Sequence, residues 1–213
     1  MPRTATTTGR KPTERRTRSD GERSRAAILD EAAKLATVEG IGGLSLGRLA
    51  DEVGMSKSGL FAHFGSKEEL QLATIGAASQ IFDEQVLDPA AKASAGLDRL
   101  RALLSAYLRY VEGGTFPGGC FFATVLVEVS MQPGAVRDRL IAFLGDWIGL
   151  LEAAIRDAQG EGEIDAKEDP AQLAFELESF LLLANTQFAV VHSSEPIKRG
   201  RSAIDRRLKE AVA

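Results

Sequence analysis

Along most of this 213-residue chain, apolar residues recur at intervals of three and four, the spacing of one face of an α-helix. We find no convincing β-strand pattern and no internal repeat, so the sequence predicts an all-α fold. Pro89 is expected to end the fourth helix. The expected helices span residues 22–39, 46–53, 57–64, 67–87, 94–112, 120–132, 135–159 and 171–192, followed by a short amphipathic tail after Pro196.

Residues 44–67 predict two short helices joined by a tight turn at Gly54. Ser45 and Ser56 precede the helices as N-caps, because a serine hydroxyl accepts a hydrogen bond from an unpaired amide of the first turn. In the second helix Leu60 and Phe64 form the buried face, and small, basic and hydroxyl residues occupy the other faces. The arrangement is typical of a helix-turn-helix, whose second helix fits a DNA major groove. An ordinary helical hairpin with a solvated face is the alternative.

The segment SKSGLFAHFGSKEEL, residues 56–70, resembles the recognition-helix signature of the TetR family of transcriptional regulators. The matching residues are Ser56, Gly59, Leu60, His63, Phe64, Lys67 and Glu68. Phe61 departs from the pattern, since the family usually has a Tyr there with its hydroxyl on a DNA phosphate. The resemblance extends from about Ile28 to Leu70. It implies a three-helix DNA-binding head and a larger helical domain for ligand binding and dimerisation.

The charge distribution supports a nucleic-acid-binding end. Residues 1–67 carry 12 Lys and Arg against 8 Asp and Glu, whereas residues 68–213 carry 14 against 22, within a net charge of −4. We divide the chain into a disordered basic arm (1–21), a DNA-binding domain (22–67) and a ligand-binding and dimerisation domain (68–213). The arm is either a solubilising tail or a segment that follows DNA phosphates.

Nine residues of the head are predicted to contact DNA. Lys57, Ser58 and His63 are expected to reach bases or phosphates, and Gly59 is expected to allow close approach of the backbone. The full predicted set is Ser45, Arg48, Ser56, Lys57, Ser58, Gly59, Phe61, His63 and Lys67. Ser45, Arg48 and Lys67 are assigned to the DNA backbone, Lys67 because its ammonium lies beside free amides at a helix start.

The second domain is expected to enclose a ligand pocket, as the family resemblance implies. The alternative is that its aromatic rings simply fill a close-packed core. The Gly-rich loop FPGGCFF is expected to leave space between helices. The predicted pocket residues are Tyr107, Tyr110, Phe116, Cys120, Phe121, Phe122, Phe143, Trp147 and Gln187, with Asn185 and His192 as further polar groups. Cys120 is either an inert core residue or a redox sensor.

The helix over residues 171–192 is apolar around much of its circumference, which one small domain cannot cover, so a homodimer is expected. No catalytic cluster, metal site or cofactor is predicted, because the two His residues are far apart and no phosphate loop or nucleophile motif occurs. We find no run apolar enough to span a membrane and no signal-peptide core at the N-terminus, which favours the cytoplasm. The single cysteine excludes an internal disulfide.

The sequence therefore predicts a non-enzymatic, TetR-like repressor that binds a palindromic operator and leaves it when a small hydrophobic inducer binds. Helix 67–87 is expected to carry movement from the pocket to the head. Two alternatives remain: a helical small-molecule-binding protein or enzyme without DNA function, and a ligand-independent regulator or activator of the same fold.

Overall fold

The structure, a computed structural model, describes residues 12–129 and 133–213. Within these ranges it is all-helical, with one isolated β-bridge between Ile164 and Val212 and no strand, which confirms the predicted fold class. The α-helices are α1 Pro12–Glu39, α2 Leu46–Glu52, α3 Lys57–Phe64, α4 Lys67–Phe82, α5 Asp88–Ala90, α6 Leu97–Glu112, α7 Phe121–Val129, α8 Ala135–Gly160, α9 Pro170–Val191 and α10 Glu195–Ala211.

Helices α1 to α3 and the start of α4 form a small N-terminal head around its own apolar cluster. The buried residues of this cluster are Ile28, Ala32, Leu44, Leu49, Ala50, Leu60, Phe64 and Leu70. The turn between α2 and α3 contains Gly54 at φ +65°, a left-handed conformation in which a Cβ would be strained. Glycine at this position lets the two helices reverse within four residues.

Helix α1 begins at Pro12, ten residues earlier than predicted. Proline is favourable in a first turn, and no breaker precedes Gly21. Helix α1 therefore includes residues 12–21 of the predicted arm, while residues 1–11 lie outside the described part of the chain. The adjacent face of α1 places Ala33 and Ala36 in the core of the second domain, so the two domains share this helix.

Pro89 does not end the fourth helix, contrary to the prediction. Helix α4 continues through a π-helical turn, Asp83–Leu87, into α5. A proline ring in an α-helix clashes with the carbonyl four residues earlier, which here belongs to Gln85. Because Gln85 lies in the π-helical turn, the wider spacing accommodates the ring. The next helix begins at Leu97 instead of near Ser94, and the Glu163 carboxylate accepts a hydrogen bond from the Leu97 amide at 2.8 Å.

Helices α4 to α10 build the larger domain around a core that reaches from Ile75 to Ala211. Asp169 caps α9 through the Ala171 amide and is followed by Pro170, as predicted. Helix α10 packs on α9 with Ile204 and Leu208 buried, which confirms the inward face predicted for the tail. Helix α7 ends at Val129 in the described residues, and the predicted end near residue 132 lies outside them.

Helix α9 is long and apolar enough to cross a membrane by length and composition alone. The prediction that no such run exists was wrong. The signal is weak, since the core helix of a soluble protein passes the same test.

Arg207 of α10 forms ion pairs with Glu176 of α9 and with Glu168, which precedes α9.

Candidate functional site

Helix α3 presents a polar face to solvent at the tip of the head. The Ser56 hydroxyl accepts a hydrogen bond from the Gly59 amide at 3.1 Å and so fixes the start of the helix. Leu60 and Phe64 are buried in the head, as predicted, and Lys57 and Ser58 are exposed. Phe61 is 56% exposed, an unusual position for a large apolar ring without a partner. His63 is half-buried on the same helix.

Arg25 of α1 holds the far end of α3 in place, and the sequence reading missed it. Its guanidinium donates a hydrogen bond to the His63 carbonyl and lies 4.4 Å from the centre of the Phe64 ring. A cation is favourable at the carbonyl end of a helix, and the aromatic face adds a cation–π contact. This bracing keeps α3 in a fixed orientation on the head.

Three predicted contacts with the DNA backbone already have partners inside the protein. The Ser45 hydroxyl caps α2 through the Arg48 amide at 3.2 Å. The Arg48 guanidinium forms ion pairs with Glu39 and Glu52, each at 2.8 Å. Lys67 donates a hydrogen bond to the Gly42 carbonyl. Any phosphate contact by Arg48 or Lys67 requires an exchange of partners, whereas within the described residues the Lys57 ammonium has no ion-pair partner.

A cavity of about 490 Å³ lies in the second domain between α4, α6, α7, α8 and α9. This volume suits a small organic ligand. Five of the nine predicted pocket residues line it, namely Tyr107, Cys120, Phe122, Phe143 and Trp147. The remaining lining residues are Phe82, Ala123, Leu126, Val127, Leu144, Ile148, Ala171, Phe175, Glu178, Ser179 and Leu182. All of these apart from Glu178 and Ser179 are apolar.

The other predicted pocket residues lie elsewhere. Tyr110, Phe116 and Phe121 are buried in the surrounding core, and Gln187 is exposed on α9. Asn185 is buried, but its side-chain oxygen accepts a hydrogen bond from the Cys120 amide at 2.7 Å. His192 is exposed at the end of α9 in a left-handed conformation.

The glycines of the FPGGCFF loop do not create the cavity. The prediction that this loop leaves space between the helices was therefore wrong. A Cβ on Gly118 would lie 2.1 Å from the Thr37 carbonyl oxygen. A Cβ on Gly119 would lie 2.3 Å from the side-chain oxygen of Asn185. The two glycines therefore let the loop pack closely against α1 and α9.

Glu178 is the one charged side chain among the described residues that line the cavity, and the sequence reading missed it. Its carboxylate accepts a hydrogen bond from the Trp147 indole N–H at 2.7 Å. Burial raises the pKa of Glu178 from 4.5 to about 7, although the Trp147 hydrogen bond opposes the shift. The local sequence offered little signal, because Glu178 lies between Glu176 and Ser179 and resembles an ordinary acidic residue of a helix surface.

Cys120 is fully enclosed at the start of α7. Burial raises the pKa of its thiol, and hydrogen bonds from the Ala123 amide and the Tyr107 hydroxyl only partly oppose this effect. A thiol with a raised pKa forms little of the reactive thiolate. The geometry favours the core role of Cys120 over the sensor role.

Two contacts connect the cavity with the head. Phe82, at the end of α4, lies edge-on to Phe143 and Trp147, with ring centres 5.1 and 5.3 Å apart. Glu128, near the end of α7, accepts hydrogen bonds from the backbone amides of Ile41 and Gly42, both at 2.7 Å. Helix α4 begins in the head, and α7 forms one wall of the cavity, so both connections join the wall to the head.

No group of three or more His, Cys, Asp or Glu that could hold a metal ion occurs in the described ranges, residues 12–129 and 133–213. The arrangement instead offers an exposed helix of DNA-binding shape and a mostly apolar cavity, part of whose rim is exposed to solvent.

Comparison with protein families identifies both parts of the chain. Residues 28–74 match the family model described as bacterial regulatory proteins of the tetR family. Residues 96–204, more than half of the chain, match the model described as the tetracyclin repressor-like C-terminal domain. The chain belongs to the TetR family. It is therefore a transcription regulator with a DNA-binding helix-turn-helix and a ligand-binding C-terminal domain.

Solved structures of TetR regulators are similar over almost the whole chain. A TetR regulator from Chloroflexus aurantiacus is 23% identical, with a TM-score of 0.83, over 91% of this chain and 98% of that one. AibR, solved with isovaleryl coenzyme A and operator DNA, is 26% identical, with a TM-score of 0.69, over 88% and 97%. The ketosteroid regulator KstR2 of Mycobacterium tuberculosis is 15% identical, with a TM-score of 0.66, over 89% and 95%. No curated protein sequence matches the chain.

Proposed function

We propose that this TetR-family protein is a repressor that binds a pseudo-palindromic operator as a homodimer and releases it when a small molecule enters the cavity. One observation carries the proposal: α4 has Lys67 in the head and Phe82 in the cavity wall. Sixteen helical residues place these ends about 22 Å apart on one rigid element. A ligand that displaces Phe82 therefore moves a helix that belongs to the DNA-binding head.

For DNA recognition we assign Lys57, Ser58 and His63 to bases or nearby phosphates, because they lie on α3 and away from its buried face. The exposed ring of Phe61 packs against a sugar of the DNA backbone. Lys67 contributes a phosphate contact after it leaves the Gly42 carbonyl. AibR, a relative of the same fold, was solved with operator DNA, which supports this orientation of the head.

The homodimer is supported by an apolar stripe on α9. Phe175, Leu182, Leu183 and Val190 recur at helical spacing and are between 39% and 74% exposed. Neighbouring α8 exposes small residues, Ala142, Gly145, Gly149 and Ala153, which allow a second helix pair to approach closely. A contiguous apolar face of this kind marks an interface in a protein that is not in a membrane. Two copies related by a twofold axis present two α3 helices to the DNA.

Release of DNA requires a ligand that binds the releasing state more tightly than the DNA-binding state, because equal affinity for both shifts nothing. The cavity is suited to this role, since its walls include Phe82 of α4 and residues of α7. Helix α7 also holds the α1–α2 turn through Glu128. Rearrangement of either wall changes the position of the head, and hence the spacing of the two recognition helices.

The test is selection of binding sites from a random duplex library with the purified full-length chain. We expect enrichment of an inverted repeat whose half-sites lie about one helical turn, roughly 34–36 Å, apart. Enrichment of no sequence would contradict the DNA function. Enrichment of a single asymmetric half-site would contradict the homodimer.

A further inference from the structure

The lining of the cavity is almost entirely apolar but includes one carboxylate, and this combination restricts the class of ligand that fits it. Among the described residues that line the cavity, Glu178 alone carries a formal charge, and none of them is Lys, Arg or His. Within the described residues, the Trp147 indole is the only hydrogen-bond donor to the Glu178 carboxylate. A carboxylate has about four acceptor positions, so most of its capacity is unused.

The groups around Glu178 offer it no balancing positive charge. The other titratable side chains in the wall are Tyr107 of α6 and Cys120, beside α7, and burial keeps both neutral. Removing a carboxylate from water is costly unless a cation pairs with it. Burial without a positive partner disfavours the ionised carboxylate, and a bound cation would remove that cost.

Aromatic rings surround the same space. Phe82 lies edge-on to Trp147 and Phe143, and Phe143 stacks on Phe122 with an angle of 8° between the rings. Tyr107 stacks against Trp147 at 24°. Aromatic faces attract cations through the negative potential above the ring. A cage of five rings beside one carboxylate matches a positively charged nitrogen attached to an apolar body.

An anionic ligand finds no positively charged partner among the described residues of the cavity wall. The amides at the start of α7 could have bound an anion, but the Cys120 amide donates to Asn185 and the Phe121 amide donates to the Tyr110 hydroxyl. A neutral apolar ligand would leave the carboxylate unpaired. On these grounds a phosphate-bearing ligand, such as the coenzyme A thioester bound by AibR, does not suit the wall.

We infer that the inducer of this regulator is an apolar organic cation, an amine or a quaternary ammonium compound, with Glu178 as its counter-ion inside the aromatic cage. The inference rests on the proposed role of the cavity as the ligand site. It adds the chemical class of the ligand and the residue that selects it.

The protein contains its own probe, since Trp147 is the single tryptophan of the chain and lies in the cavity wall. We would titrate the full-length protein with benzyltrimethylammonium and with neopentylbenzene, which has the same shape without the charge. The readout is the change in tryptophan fluorescence. We expect the cation to bind at least about tenfold more tightly than its neutral counterpart.

Glu178→Gln retains the size of the side chain and an acceptor for the Trp147 N–H. We expect it to weaken cation binding by about tenfold or more and to leave the neutral probe unchanged or slightly tighter. The matched control is Glu161→Gln, which removes the same charge from an exposed site at the end of α8. The control should bind both probes as the unaltered protein does.

Equal or tighter binding of neopentylbenzene by the unaltered protein would overturn the cation selectivity while the ligand cavity stands. Equal loss of cation binding in Glu178→Gln and Glu161→Gln would assign the effect to overall charge and would also overturn the inference. A fluorescence response to neither probe, at concentrations that saturate ordinary apolar sites, would contradict the ligand role of the cavity itself. The fluorescence titration does not involve DNA. A failure of the proposed DNA-binding function would therefore appear only in the selection of binding sites, and the two results can be told apart.

Discussion

The Glu128 carboxylate of α7 accepts a hydrogen bond from the Ile41 backbone amide at 2.7 Å, across 87 positions of the sequence. A second bond from the Gly42 amide completes a two-pronged contact with the α1–α2 turn. The next residues toward the cavity, Leu126 and Val127, line its wall. The Glu128 side chain is therefore a direct link between a wall of the cavity and the DNA-binding head.

Glu128→Gln tests this connection. A neutral amide is a weaker acceptor and can accept both amides only through one oxygen, so we expect the free energy of unfolding to fall by about 1 kcal/mol. We also expect ligand-driven release of DNA to become weaker, because the turn no longer follows α7. Urea unfolding and mobility shifts in the presence of inducer measure the two effects. Glu210→Gln, an exposed acidic residue on α10, is the control. If ligand-driven release of DNA is unchanged in Glu128→Gln, α7 does not carry movement from the cavity to the DNA-binding head.

Core rings and cavity rings should respond differently to truncation. Phe121 is fully buried and does not line the cavity, so Phe121→Ala is expected to cost about 3–5 kcal/mol of stability. Phe143 faces the cavity and is only partly buried, so Phe143→Ala should cost clearly less and should alter the response to inducer. Urea unfolding, with mobility shifts in the presence of inducer, separates the two. Equal destabilisation, with no change in response, would indicate that the rings serve packing alone.

The pH dependence of stability should reveal Glu178. Its pKa is about 7 in the folded protein and near 4.5 when exposed, so the folded state binds more protons between these values. The free energy of unfolding therefore falls as pH rises from about 4.5 to 7, by on the order of 3 kcal/mol from this group. Glu178→Gln should lose that part of the slope and gain stability at pH 8. Urea unfolding at pH 5 and pH 8 measures it, and identical slopes in the two proteins would contradict the burial of a charge.

The dimer face can be tested at the centre of the α9 stripe. Leu183→Glu places a charge in the proposed interface. In light scattering at micromolar concentration we therefore expect this variant to be a monomer and the unaltered protein to be a dimer. Val38→Glu introduces the same change at an exposed apolar site on α1, and it should remain dimeric. Obligate interfaces of this kind often bury over about 2,000 Å². If the unaltered protein is a monomer, the proposed homodimer is contradicted, and so is the palindromic operator that depends on it.

Local sequence rules predicted much of this fold. The Ser56 cap, the Gly54 turn and the buried pair Leu60 and Phe64 depend on neighbours within one or two turns of a helix. The helical character of Pro89 could not be predicted in this way, because it depends on a π-helical turn that forms before the proline. Local rules describe single helices well, and they miss features set by an irregular helical geometry.

The sites were harder to predict because they depend on contacts that are distant in sequence. Periodicity identifies Tyr110 and Tyr107 equally as inward-facing, yet only Tyr107 faces empty space. Glu128 and Glu178 looked like ordinary helix-surface acids, since their partners lie 87 and 31 positions away. The Glu52 partner of Arg48 lies four residues away in the same helix, but its second partner, Glu39, lies in another helix and could not be predicted from local sequence.

The central claim is that α3 reads DNA, and the direct measurement is the affinity of α3 variants for the selected duplex and for scrambled DNA. A doubly changed protein, Lys57→Ala with Ser58→Ala, should lose about 1–3 kcal/mol of preference for each base contact removed. Lys67→Ala should weaken binding to both duplexes alike and lower the salt slope. Lys92→Ala, an exposed lysine far from the head, should bind as the unaltered protein does. Unchanged affinity and preference in the double variant would contradict the account.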